Sequence, residues 1–265
     1  MRVAVLTSGR RGLASRCLPA LVASPHVQVA GVVLAHGGSP NRRRAVMRRI
    51  RKTLAIGPLG ALNGLRLRRW YADTRTDDIV ELAQRHEVPL FETRFINSEP
   101  TRALFRSLAA DLGLSLGNPY IAPSVFSIPK YGMVNVHGEL LPEFQGAQGI
   151  IWPLYEGCTE TGFTIHQIDA SIDTGDILFQ KRIPIVLRPT LRRTVEESLD
   201  EVRSQVPPAV AWVCENYEDL RSQARPQGPG RTYTTPSFRQ FSRMLRNHRA
   251  MYRHHTTLAG EAGNA

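Results

Sequence analysis

Acidic residues are missing from one whole stretch of this chain: positions 41–70 hold ten Arg or Lys and neither Asp nor Glu. Lysine is scarce throughout, three residues against thirty-one arginines. Cysteine is scarce as well. Cys17, Cys158 and Cys214 are odd in number and scattered, with no CxxC pair and no metal-like spacing against the histidines. That excludes a disulfide scaffold, leaves free thiols of a reducing compartment as the expectation, and gives no ground for a metal. No run approaches the roughly 18 apolar residues that a membrane span requires. The opening apolar stretch, 3–6, stops at Gly9 and Gly12 and is too short for a signal peptide, so a cytoplasmic location is expected.

What is present suits one sizeable domain with an appendage, at 265 residues and 42% hydrophobic content, able to fold without staples. The net charge of +11 is unevenly spread. Besides 41–70, the segment 221–265 carries eight Arg against the single Glu261, and the remainder of the chain is slightly acidic. The body therefore reads as an ordinary enzyme with two basic attachments. Each attachment suits nucleic acid, anionic lipid or a phosphorylated substrate, or is a solvated arginine-rich helix face. Trp70, Tyr71 and Tyr233 lie close to the charge but no known RNA-binding motif is visible, so nucleic acid is not the expected partner. Met47, Ile50 and Leu54 share a helical face in the first segment, which allows peripheral contact with an anionic membrane.

The chain opens as strand 3–6, a Gly-containing turn and a helix through Leu18, Leu21 and Val22, followed by strand 27–34, a βαβ unit of a parallel sheet. A helix in the basic stretch is broken at Gly57-Pro58. Helices at 77–86 and 99–110 alternate with strands at 89–91 and 112–116. A strand at 133–136, a helix at 149–157 and two alternating strands at 161–168 and 177–185 predict a mostly parallel twisted sheet with an antiparallel edge and helices on both faces. A helix over 194–216 interrupted at Pro207-Pro208, a linker at 225–230, a basic helix at 237–253 and a disordered last ten residues complete the reading. The expected division is a catalytic domain, 1–190, carrying the Arg-rich insertion, and a helical extension, 191–265.

Asn135 and His137 are two apart on a strand and so point the same way. Asp173, in a Gly-containing loop 36 residues further on, can fold back beside them. An amide donor, an imidazole and a proton acceptor together are equipment for acyl-type transfer. Singly, each has a plain structural alternative: a strand-end cap, a satisfied core histidine, a turn former before Gly175. His166 alternates with Thr164 and Ile168 and suits either the site or the core. Ser8, Gly9 and Gly12 follow the first strand, where main-chain N–H groups can hold an anion or make a simple βα turn.

The stretches Asn118-Pro119-Tyr120-Ile121-Ala122-Pro123, Asn135-Val136-His137-Gly138-Glu139-Leu140-Leu141-Pro142, and Ile172-Asp173-Thr174-Gly175-Asp176-Ile177-Leu178 resemble the folate-dependent formyltransferase family, with its Rossmann-like fold. The resemblance runs from 117 to 185 and more loosely over 1–34. It implies 10-formyltetrahydrofolate as formyl donor and no metal. It also implies that Asn135 and His137 serve the oxyanion while Asp173 fixes the imidazole and accepts protons. The pterin would be gripped by Tyr120, Ile121 and Ala122 and by Ile168, Asp169 and Ala170, with Leu140, Leu141 and Pro142 as an apolar wall. Ser8, Gly9 and Gly12 would face substrate phosphate.

Glu139 stands where many relatives have Ser, and Phe144-Gln145-Gly146-Ala147-Gln148-Gly149 departs from the usual Arg-Gly stretch, which places Glu139, Gln145 and Gln148 beside the acceptor. After position 185 the chain lacks the alternating strands of the barrel in tRNA formyltransferases, and 41–70 has no counterpart in minimal glycinamide ribonucleotide enzymes. The preferred acceptor is therefore a small phosphorylated amine, a nucleotide-linked amino sugar. Methionyl-tRNA and glycinamide ribonucleotide are the alternatives, and a non-catalytic basic module with a relic folate site is the alternative of another class.

Overall fold

Short runs rich in valine and leucine, bounded by glycine turns and separated by helical patterns, fold into a parallel sheet covered on both faces. The computed structural model describes residues 1–37, 42–73, 75–146 and 148–262; Asn41 of the basic segment, Ala147 of the 144–149 stretch and the last three residues fall outside them. In chain order the elements are β1 (Arg2–Thr7), α1 (Leu13–Ala23), β2 (Gln28–Ala35), α2 (Arg42–Trp70), α3 (Ile79–Arg85), β3 (Leu90–Thr93), α4 (Glu99–Leu108), β4 (Leu112–Ser115), α5 (Pro123–Phe126), β5 (Met133–His137), β6 (Gln145–Gly146), α6 (Ile151–Glu156), β7 (Glu160–Gln167), β8 (Ile177–Pro184), α7 (Leu191–Glu215), α8 (Tyr217–Ser222), β9 (Thr232–Tyr233) and α9 (Phe238–Ala262).

Seven strands form one sheet in the order β3-β2-β1-β4-β5-β7-β8. The first five are parallel, β7 is antiparallel to β5, and β8 to β7. Alternation along β1 sends Val3 and Val5 into a core with α1, α3 and α7, and Ala4 and Leu6 into a second core with α4 and α5. The expected Rossmann-like sheet with its antiparallel edge is the observed one. Strand order reverses between β1 and β4, and open α/β sheets bind ligands beside such a switch point.

Two expectations fail. The Pro207-Pro208 pair does not interrupt α7, which is continuous from Leu191 to Glu215. Each interior proline costs about 3 kcal/mol, but Leu199, Val202 and Val206 on one side and Val210 and Val213 on the other are all buried. At roughly 1.5–3 kcal/mol each, they outweigh the two lost hydrogen bonds. The C-terminal helix is longer than the expected 237–253, because α9 continues to Ala262; past its first turn a helix gains one hydrogen bond per added residue. The core runs across position 190 without a break, since α7 packs on α1 and β8. In the Arg-rich segment α2 is broken at Gly57, where φ is 70° and ψ 172°, as the Gly-Pro pair predicts. The two basic segments meet, with α9 packed on α2 and α6.

Candidate active site

Pairing of β5 with β7 sets Asn135 opposite His166 and His137 opposite Thr164, so an amide and two imidazoles come to one end of the sheet. Asp173 reaches them because the loop between β7 and β8 folds back. Asp169 Oδ1 accepts from the Ser171 amide at 3.0 Å and from the Thr174 hydroxyl at 2.8 Å, and a Cβ at Gly175 would run into the Gln167 carbonyl. Asp173 itself sits at φ 56°, a left-handed conformation that aspartate tolerates better than most side chains.

His137 Nδ1 lies 3.5 Å from Asp173 Oδ2, and His166 Nε2 lies 3.8 Å from Asp173 Oδ1. The Gly146 amide donates to Asp173 Oδ2 at 3.0 Å. His137 Nε2 is 2.7 Å from the Phe144 carbonyl. A carbonyl only accepts, so that nitrogen carries a proton, and both ring nitrogens face oxygen atoms. The same logic fixes His166. Its Nδ1 donates to the Gln167 carbonyl at 2.8 Å, leaving Nε2 to accept from Asn135 Nδ2 at 3.2 Å. Burial lowers the His166 pKa, with part of the effect offset by its bond to Gln167 and by the Asp173 charge, so the neutral ring that can accept is the favoured one. One N–H of the Asn135 amide is thereby committed and the amide plane is set.

These groups line a cavity of about 800 Å³. Tyr120, Ile121, Ile168 and Ile172 give it apolar walls; Arg51, from α2, is its one Arg or Lys among the described residues. Of the residues expected at a pterin, Tyr120, Ile121, Ile168 and Asp169 line the cavity, whereas Ala122, Leu140, Leu141, Pro142 and Ala170 do not. The Ala122 amide donates to Asn97 Oδ1 at 2.7 Å. Leu140 and Leu141 are buried in the core, where the Leu141 amide donates to Thr164 Oγ1.

Of the residues expected at the acceptor, none lines the cavity. Glu139 is 2% exposed and accepts from the Ile150 amide at 2.5 Å, the Thr161 hydroxyl at 2.6 Å and the Leu140 amide at 3.2 Å. The start of α6 turns back over this carboxylate and encloses it. Gln145 braces the loops instead, with its Nε2 donating to the Asp173 carbonyl at 3.4 Å and its Oε1 accepting from Thr232. Gln148 sits at φ 72° with a buried, unpartnered Oε1. Ser8 donates to Asn118 Oδ1 at 2.8 Å and so touches the cavity only through Asn118. Gly9 and Gly12 stay in the βα turn, where the Gly12 carbonyl accepts the first amide bond of α1 from Arg16.

Thr232, Tyr233 and Thr234 line the cavity from the C-terminal side, a contribution the sequence reading missed. β9 pairs in parallel with β6, Tyr233 packs on Trp152 with ring centroids 4.5 Å apart, and its hydroxyl donates to Glu156 Oε1 at 3.0 Å. This strap crosses the loop that holds Asp173.

An amide, two histidines and a carboxylate are thus gathered at one cavity of a mostly parallel α/β sheet. A sequence profile of the formyl transferase family matches residues 1–210; the chain belongs to that family. It is 34% identical over 157 residues to the methionyl-tRNA formyltransferase of Thermosynechococcus vestitus, covering 58% of this chain and 47% of that protein. To the methionyl-tRNA formyltransferase of Geobacter sulfurreducens it is 40% identical over 105 residues, 39% of this chain and 33% of that protein. The chain therefore spans less than half the length of these two relatives. Solved structures share the fold at low identity. Glycinamide ribonucleotide transformylase 1 from Symbiobacterium toebii has a TM-score of 0.57 at 18% identity, over 86% of this chain and 94% of that one. A sugar N-formyltransferase from Shewanella sp FDAARGOS_354 has 0.54 at 16%, over 93% and 87%.

Proposed function

We propose that the chain transfers a formyl group from 10-formyltetrahydrofolate to a primary amine of a small acceptor, a nucleotide-linked amino sugar by preference. The observation that carries the reading is the convergence of Asn135, His137 and Asp173 on one wall of the cavity. The cavity suits a reduced folate in size and lining. Its volume is within the roughly 300–1,000 Å³ of small-molecule sites, and its apolar walls at Tyr120, Ile121, Ile168 and Ile172 end at a polar cluster. When bound, the donor supplies an activated formyl carbon.

The residues of the chain do the rest. The second N–H of Asn135, whose first is held by His166, binds the formyl oxygen as charge develops on it. His137, held between the Phe144 carbonyl and Asp173, keeps the cluster aligned beside that oxygen. Asp173 takes the proton released by the attacking amine, directly or through water. The bond formed joins the amine nitrogen to the formyl carbon, the bond broken joins that carbon to the donor nitrogen, and the proton ends on the donor nitrogen. Arg51 and the hydroxyls of Ser171, Thr232 and Thr234 line the same cavity and suit a diphosphate and a sugar.

The test is a panel of amines offered with 10-formyltetrahydrofolate, with N-formyl products read by mass spectrometry. Turnover of nucleotide-linked amino sugars is expected. A panel in which only a non-sugar amine reacts removes the acceptor assignment, and no product from any amine removes the transferase reading. Methionyl-tRNA belongs in the panel because the two sequence relatives carry that name.

A further inference from the structure

We infer that α2, with the adjoining face of α9, is a docking surface for an anionic lipid membrane. Ten large apolar side chains are exposed among the described residues, and six of them are on α2: Met47, Ile50, Leu54, Leu59, Leu62 and Leu65, between 47 and 77% exposed. The first three lie on one helical face before the break at Gly57. After the break, Leu67 and Asn63 turn inward while Leu62 and Leu65 point out among Arg66, Arg68 and Arg69. The same segment, 41–70, carries ten cations and no acid. Its neighbour α9 adds exposed Arg239, Arg243, Arg246, Arg249 and Arg253 and begins at Phe238, which is 54% exposed.

Charge and exposed apolar surface together select the partner. A second copy meeting α2 with α2 would set Arg51, Arg66, Arg68 and Arg69, the exposed cations among its described residues, against the same four, since a two-fold contact is self-complementary. A nucleic acid would satisfy the arginines but leave the aliphatic side chains in water, because its protein partners present aromatic rings to the bases. A bilayer of acidic phospholipids takes both: aliphatic side chains enter the boundary between headgroups and acyl chains, and guanidinium groups stay at the phosphates. No helix among the described residues is long and apolar enough to cross a membrane, so the contact is peripheral. Arg51 belongs both to α2 and to the cavity lining, so docking brings the cavity to the lipid surface.

Vesicle sedimentation of the full chain tests this without reference to turnover, so that failure here leaves the transferase reading standing. Partition onto vesicles containing phosphatidylglycerol should exceed that onto phosphatidylcholine alone by about 100-fold, if three or more basic side chains reach the surface at about fivefold each. Leu62→Ser with Leu65→Ser, and independently Ile50→Ser with Leu54→Ser, should each weaken partition by about tenfold. Both pairs face outward, and an unchanged thermal midpoint shows that the fold is retained. Three outcomes overturn the proposal: no preference for the anionic vesicles, partition indifferent to both serine pairs, or self-association or RNA binding without vesicle binding.

Discussion

Glu139 is a carboxylate pushed up to about 7, because burial disfavours its charge more than its bonds to Thr161, Ile150 and Leu140 favour it. Its usual value is 4.5, so between there and about pH 7 the folded protein keeps a proton that the unfolded chain releases. Its contribution to stability is greatest below 4.5 and falls as pH rises, by about 3 kcal/mol across the window. His166 has the opposite sign. Its lowered pKa means that the unfolded chain takes up the proton first as pH falls below 6.5, so its contribution is lost on acidification. Glu139→Gln should therefore turn the pH dependence of urea-unfolding stability, near pH 5 to 7, into a rise with pH; an unaltered slope would remove the assignment. At the reacting centre, Asn135→Ala should lower kcat by about 100- to 1000-fold with little change in KM, the loss expected for one oxyanion donor, measured by steady-state kinetics. The Asn-x-His spacing was legible because alternation along a strand is a local property. The burial of Glu139 was not, since it depends on α6 returning over a residue that the sequence sets beside the site.

Elements with a single period were read from sequence close to where they lie: β1, α1, β2, α3 and β4 differ from expectation by a residue or two at their ends. α7 was misread because local propensity at two prolines was overruled by burial on both sides. Pro208 is exposed, and Pro208→Ala should stabilise the fold by about 2–2.5 kcal/mol. That is the helix penalty of about 3 kcal/mol less what the proline gains by restricting the unfolded chain, and thermal unfolding measures it. The strap was illegible for a different reason. Two residues of strand carry no periodic signal, and its pairing partner lies 87 positions away. Gly146 makes that pairing possible: its φ is 97°, and a Cβ there would strike the Tyr233 carbonyl. Gly146→Ala should cost about 1–3 kcal/mol from backbone strain and raise KM by loosening the cavity wall, which kinetics beside a melting curve would separate.

At the scale of the whole molecule, the sheet and the C-terminal helices share one core. α7 buries Leu191, Val195, Leu199, Val202, Val206, Val210 and Val213, roughly 10–20 kcal/mol of burial against the 5–15 kcal/mol by which domains are stable. A fragment of residues 1–190 should therefore show no cooperative thermal transition by circular dichroism; a sharp one would make the extension a separate unit. The charge asymmetry also has a three-dimensional form that no linear count reveals, because α2 and α9 are far apart in sequence and adjacent in space. The strap places a limit in time as well as in space. Thr232, Tyr233 and Thr234 are synthesised well after residues 51–173, yet they wall a cavity whose other sides those earlier residues make. During translation the sheet and its polar cluster can form while the chamber still gapes, and the chamber closes only when the ribosome has released the segment beyond residue 234.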